Sequence, residues 1–224
     1  NKYKKAYIED NSLNTREQHA IVPRYSVLPL LAMLAMNGLA YFGTRVFTST
    51  RFHYNIETPL DNLLPFVPAF IIIYLAAYFQ WIYCYIRIGH EDKSYCYRIF
   101  FGEIIAKLLC LIIFMSFPTT LSRPDVRGSG IFERLVAQLY AMDAADNLFP
   151  SIHCLESWAC YRGCSNISSL PEWFKKGNLI FTILVFASTV LLKQHVLTDI
   201  AGGVIVFEIG LILADVILKR VHRV

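Results

Sequence analysis

Six apolar runs, at 26–44, 66–86, 99–117, 148–164, 179–192 and 196–218, leave little room for a soluble fold. A helix rises 1.5 Å per residue, so ~20 apolar residues cross ~30 Å of hydrocarbon. The first, second, third and sixth runs meet that length. The fourth is interrupted by His153, Glu156 and Arg162, and the fifth is short unless 193–196 extend it. The expected architecture is an all-α integral membrane protein. It consists of a six-transmembrane helix bundle, residues 26–224, after a polar cytoplasmic segment, residues 1–25. Charged residues make up only 17% of the chain, against about 25% in soluble domains. The first residues are polar and lack the apolar stretch of a signal peptide.

Lys and Arg set the orientation, because cytoplasmic loops carry the excess of them. With both termini in the cytoplasm, the inner side holds the majority of the 21 Lys and Arg, while Lys107 remains inside the third run. This predicts a multi-pass protein of the cell membrane. The net charge of +4 forms no basic stripe, which argues against a nucleic-acid partner and for lipid head groups. On this map three segments meet at the outer face: the loop 118–147, the start of the fourth run, and the link between the fifth and sixth. In the loop, Ile131, Leu135, Leu139 and Met142 recur at helical spacing beside Phe132 and Val136. They predict an amphipathic helix on the outer surface. Residues 48–65 form a second candidate surface element. The six cysteines sit in or beside apolar runs and read as buried thiols. The alternative, a metal site from His153, Cys154, Cys160 and Cys164, lacks zinc-type spacing. Nothing in the sequence sets the oligomeric state.

The chemistry concentrates in three short stretches. In Ser188–Asp199, "STVLLKQHVLTD", His195 and Asp199 are four residues apart and share a helix face. A carboxylate behind an imidazole holds one ring nitrogen as N–H and leaves the other free to attack. The alternative reading is a helix-start histidine beside a capping aspartate. Lys193 stands two residues before His195, where an anion would sit. In "DNLFPSIH", Asp146 or Asn147 is a candidate cap and Pro150 suits a first turn. The free N–H groups at that helix start attract anions, and Ser151 and His153 add polar groups there. In "FPTTLSRPDVRG", Arg123 and Arg127 are candidate phosphate clamps. Glu103 and Lys107, four apart in the third run, read as a structural ion pair. Glu156, one turn beyond His153, is a candidate supporting residue.

Arg123-Pro124, Pro150-Ser151-Ile152-His153, and Ser188 with His195 and Asp199 resemble, in order and spacing, the motifs of the type 2 phosphatidic acid phosphatase superfamily. The variant forms Lys-Gln-His and Asp-Asn-x-Phe-Pro-Ser-x-His are similar to a divergent branch that includes inositol phosphorylceramide synthase-type enzymes. The resemblance implies that His195 is a nucleophile forming a phosphohistidine and that Asp199 orients it. His153 would be the general acid and then base, and Arg123, Ser151 and Ser188 would bind substrate. It also implies that no metal or other cofactor is needed. Ser116, Thr189 and Ile152 stand where the family has a lysine, an arginine and a glycine, so Lys193 and Arg127 are the expected replacements for the two cations.

The implied activity is hydrolysis of a lipid phosphate, of polyprenyl diphosphate or phosphatidate type, at the outer face. Two alternatives stay open: transfer of the phospho-head group to an alcohol acceptor, and a non-catalytic lipid-binding or transport role.

Overall fold

The structure, a computed structural model, describes residues 20–221. Of the expected cytoplasmic segment, residues 1–19 lie outside the described part. The chain begins with α1 (Arg24–Thr48), interrupted by a π-helical turn at Leu39–Gly43. There follow β1 (Tyr54–Asn55), α2 (Pro59–Leu63), α3 (Ile71–Gly89), α4 (Lys93–Ser116) and β2 (Thr119–Thr120). The remainder is α5 (Ile131–Met142), α6 (Ile152–Ser165), α7 (Glu172–Leu191) and α8 (Leu197–Val221). The two short strands pair in parallel, Tyr54 opposite Thr119.

Five helices are long and apolar enough to cross a membrane: Arg24–Thr48, Pro68–Gly89, Lys93–Ser116, Glu172–Leu191 and Leu197–Arg220. Their outer faces carry Leu28, Leu34, Ile72, Phe79, Ile183 and Ile205, each more than half exposed, as lipid-facing positions would be. The expected fourth crossing is not among the five. Its helix, α6, has 14 residues, about 21 Å at helical rise. The apolar run that suggested it begins at Leu148, but residues 148–151 are not helical and include a cis Phe149–Pro150 bond. α6 is buried within the bundle. His153, Leu155, Glu156, Ala159, Cys160 and Cys164 are all buried, and α3, α4, α7 and α8 pack around it. All six cysteines are buried free thiols.

Helix direction alternates, so α1, α4 and α7 end, and α3, α6 and α8 begin, at one end of the bundle. Arg45 and Thr48 near the end of α1 bond Asp146 and Asn147 just before α6. Tyr74 at the start of α3 stacks on His153 at the start of α6, with ring centroids 4.0 Å apart. The opposite end is held by Arg98–Asp215 at 2.5 Å and Arg162–Glu208 at 2.6 Å.

α4 and α8 make the most extensive helix contact. A Cβ on Gly210 would lie 2.3 Å from the carbonyl oxygen of Gly102, so glycine is required for this approach. Beside it, Lys107 bonds Glu103 at 2.9 Å and Glu156 of α6 at 2.8 Å. The expected ion pair is therefore a triad, and the Tyr85 hydroxyl donates to Glu103 at 2.7 Å. α5 forms where the 118–147 loop predicted a helix. Val136 is buried and Leu135 and Leu139 pack on Ile71, Tyr74 and Leu192, whereas Ile131 and Met142 are exposed. The seam is narrower than the sequence pattern suggests.

Breaking a buried ion pair from one side strands the remaining charge. Lys107→Met is expected to destabilise the protein by ~3–5 kcal/mol in denaturant unfolding in micelles. Replacing Glu103, Lys107 and Glu156 together by Gln, Met and Gln recovers most of that loss.

Candidate active site

The turn between α7 and α8 determines where His195 stands. After Leu192, Lys193 adopts a left-handed conformation, φ 47°. Its N–H reaches the Val190 carbonyl at 3.2 Å, and the N–H of Gln194 reaches that of Thr189 at 2.9 Å. This is the Schellman closure of a helix, here with lysine where glycine is usual. A left-handed lysine costs ~1–2 kcal/mol of backbone strain. Two bonds hold it: the Lys193 Nζ donates to the carbonyls of Asp61 and Leu64, both at 2.8 Å. Lys193 thus closes off the end of α2, and it does not line the cavity that His153 and His195 share. The N–H of His195 also reaches the Thr189 carbonyl, at 3.1 Å, so the nucleophile candidate sits on a fully bonded turn.

His195 Nδ1 lies 3.1 Å from Asp199 Oδ2. A carboxylate only accepts, so Nδ1 carries the proton and Nε2 keeps its lone pair. The same Oδ2 accepts the Val196 N–H at 3.0 Å, which also caps the start of α8. Asp199 is fully buried, and its backbone carbonyl accepts the Ser151 N–H at 3.1 Å. The start of α6 is thereby joined to the start of α8. Gly203 permits this, since a Cβ there would lie 2.5 Å from the Ser151 carbonyl oxygen.

At the start of α6, Ser151 is the cap, its Oγ accepting the Cys154 N–H at 3.3 Å. Asp146 and Asn147, expected in that role, lie before the helix. His153 is enclosed by Tyr74, Tyr78 and Trp81, which fall on one face of α3. Its Nε2 is 3.3 Å from the Tyr74 carbonyl. A carbonyl only accepts, so in the neutral ring Nδ1 is the proton-accepting nitrogen.

His153 and His195 line one cavity of about 340 Å³. Its wall is aromatic, with Tyr41, Phe42, Tyr74, Tyr78, Trp81 and Phe114, and acidic, with Asp143, Asp146 and Glu156. None of the described lining residues is Lys or Arg. The cations stand behind the wall. Arg45 bonds Asp146 at 3.1 Å and Lys107 bonds Glu156 at 2.8 Å. Arg123 donates to the Asp143 carbonyl and, at 2.5 Å, to Gln194 Oε1, with its guanidinium 4.6 Å above the Tyr140 ring. Burial pushes the Tyr140 phenol up to about 12, so it stays a donor to the Leu192 carbonyl at 2.7 Å. Burial also raises the Asp146 carboxyl above its usual range, with Arg45 opposing.

Of the predicted site residues, the fold brings His153, His195, Asp199, Ser151 and Arg123 to one end of the bundle. Ser188 is buried there, with its hydroxyl donated to the Val185 carbonyl at 2.7 Å. Arg127 is 86% exposed and pairs with Asp125, outside this cluster. Among the described residues no group of three or more His, Cys, Asp and Glu is placed to hold a metal ion.

Two residues central to the geometry escape the sequence reading. Tyr41, in the π-helical turn, donates to Asp143. Inside an apolar run it reads as an interface aromatic. Asp61 is 4% exposed and accepts from Leu197 N at 2.7 Å, from Thr58 N at 2.8 Å and from Thr58 Oγ1 at 2.6 Å. The Thr58-x-x-Asp61 spacing of a capping box was its available signal. Burial alone would raise its carboxyl. The hydrogen bonds from Thr58 and Leu197, with Lys193 nearby, outweigh that and hold it below the usual range.

A carboxyl whose folded pKa is depressed stabilises fully above its unfolded value, ~3.9, and loses that contribution as pH falls through the folded value. The protection factor of the Leu197 amide, its exchange rate referred to the intrinsic rate at the same pH, is therefore expected to be high at pH 7 and to fall only on acidification below ~4. Asp61→Asn makes that amide exchange fast at pH 7. Comparison of the chain with family models, with curated proteins and with solved structures finds no match in any of the three.

Proposed function

We propose that the chain is a membrane enzyme that transfers the phosphoryl group of a lipid phosphate through His195. The observation that carries this is the His195–Asp199 bond, with both histidines on one cavity. An imidazole with Nδ1–H held by a buried carboxylate presents Nε2 as a nucleophile, and the carboxylate supports the positive ring that forms.

In the first step the Nε2 lone pair attacks phosphorus. The bond from phosphorus to the lipid oxygen breaks, and that oxygen takes a proton from protonated His153 and leaves as the alcohol. In the second step a hydroxyl compound gives its proton to His153 as its oxygen attacks phosphorus, and the N–P bond breaks. Water as acceptor makes the enzyme a lipid phosphatase, and an alcohol makes it a phosphotransferase. The acidic cavity wall disfavours a diphosphate or monoester dianion as the donor relative to a phosphodiester head group, and leaves the acceptor open. Arg123, bonded to the residue beside His195, supplies the positive charge nearest in bonding to the nucleophile.

α6 is buried in protein, so it does not need to satisfy lipid along its length. Counted as a short crossing, it brings the passes to six and both chain ends to one side. The Lys and Arg distribution then favours cytoplasmic termini and a site at the outer face of the cell membrane, with α5 lying along that surface.

The full chain is incubated in micelles with lipid phosphates and a chelator, with and without an alcohol acceptor such as diacylglycerol. The expected result is an acid-labile phosphoprotein and either free phosphate or a new head-group lipid. His195→Ala is expected to abolish both. Asp199→Asn is expected to lower kcat by ~10²–10⁴ with KM little changed, as when an imidazole loses the partner holding its tautomer. Retention of turnover by His195→Ala rejects the proposal.

A further inference from the structure

The cavity is roofed at the end of the bundle and open at its side. α5 and residues 143–148 lie over it, and several bonds fasten them to the helices. The Tyr41 hydroxyl of α1 donates to Asp143, Arg45 bonds Asp146 at 3.1 Å, and Asn147 donates to Thr44 at 3.2 Å and Thr48 at 3.0 Å. Arg123 ties the Asp143 carbonyl to Gln194, in the turn that bears His195. Leu135 and Leu139 of α5 pack on Ile71, Tyr74 and Leu192. The exposure of the lining residues locates the opening. Phe42 of α1 is 67% exposed, Tyr78 of α3 47% and Met142 at the end of α5 83%, whereas the other described lining residues are buried or half-buried. These three border one gap. α1 packs against α4, and α3 against α6 and α7, so no extensive helix contact closes the wall between α1 and α3.

The depth of the gap decides what enters it. Phe42 precedes the end of α1, and Tyr78 follows the start of α3, by about two helical turns each. The rim therefore lies ~10 Å below the helix ends at 1.5 Å per residue. α1, at 25 residues, exceeds ~30 Å of hydrocarbon by only a few ångströms, so the rim faces acyl chains and not water. A phenyl ring, a phenol and a thioether at that depth suit a hydrocarbon chain. Tyr78 joins the rim to the site, since its ring stands edge-to-face on His153 with centroids 5.5 Å apart. Phe42 and Tyr41, adjacent in the π-helical turn of α1, put a rim residue beside a roof bond. Such turns inside α-helices occur frequently at functional sites. We propose that the gap between α1 and α3 is a lateral portal, in which a membrane lipid lies with its head in the cavity and its chain passing Phe42, Tyr78 and Met142 into the bilayer. This deepens the phosphoryl-transfer reading and rests on it only for the chemistry. A lipid seated in this way brings the bond between head and chain past Tyr78 to His153, the group that protonates the leaving oxygen.

The experiment is fluorescence quenching of the full chain reconstituted in vesicles, with Trp158→Phe and Trp173→Phe so that Trp81 alone emits. Trp81 lines the cavity and is 9% exposed. The vesicles are a mixture of phosphatidylcholine and phosphatidic acid, brominated on the upper part of one acyl chain. The expected result is that brominated chains reduce Trp81 emission by more than half relative to the same lipids without bromine. Phe42→Cys with Tyr78→Cys, bridged by a bismaleimide, closes the gap and removes that loss, whereas the unbridged pair and each single cysteine retain it. Both replaced side chains are exposed, so the fold is kept, and the six native cysteines are buried away from the reagent. His195→Ala keeps the quenching while losing turnover, so the portal and the chemistry fail separately. Absence of quenching by the brominated chains, whether or not aqueous acrylamide reaches Trp81, overturns the inference. So does quenching by the chains that bridging leaves unchanged.

Discussion

One oxygen atom organises this end of the molecule. Oδ2 of Asp199 accepts the Nδ1–H of His195 and the N–H of Val196, while the backbone of the same residue accepts the N–H of Ser151. A buried carboxylate without partners costs several kcal/mol, so these bonds are a condition of folding. The helix-capping and imidazole-orienting roles of Asp199 are therefore compatible, because one atom performs both. Asp61 repeats the arrangement one layer out, with its own α2 and the first N–H of α8 both bonded to its carboxylate.

The same economy governs the cations. In an apolar bundle every buried Lys or Arg is expensive unless bonded. Lys107, Arg45, Lys193 and Arg123 each spend their donors on a carboxylate, carbonyl or amide of the neighbouring segment. They stand behind the first layer of the site, and acceptors and rings face inward. The two histidines are the nitrogen bases left on the cavity wall among its described residues.

How much of this was legible varied with the kind of constraint. Long uninterrupted runs identify α1, α3, α4 and α8, since length and hydropathy act locally along the chain, whereas α7 reaches spanning length by starting at Glu172, ahead of its apolar run, and not through residues 193–196. α6 is short and buried in protein, and composition alone does not tell burial in protein from burial in lipid. The spacing of His195 and Asp199 was readable, because a four-residue step on a helix leaves little choice of geometry. Lys193 and Ser188 were not. Their roles depend on what their donors meet: the carbonyls of α2 for one and the preceding helical turn for the other. Arg127 lies in a loop whose path no periodicity specifies. The cavity's acidity was equally hidden: Asp143, Asp146 and Glu156 lie within one short stretch, but nothing in their spacing shows that they line a common cavity.

That acidity bears on the choice of substrate. Two like unit charges ~6 Å apart repel by ~3 kcal/mol at an effective dielectric of 20. A phosphate monoester dianion or a diphosphate would meet this repulsion from each wall carboxylate that its neighbouring cation does not neutralise. Arg45 and Lys107 offset Asp146 and Glu156, but Asp143 has the Tyr41 hydroxyl on its carboxylate and contributes its backbone carbonyl to Arg123.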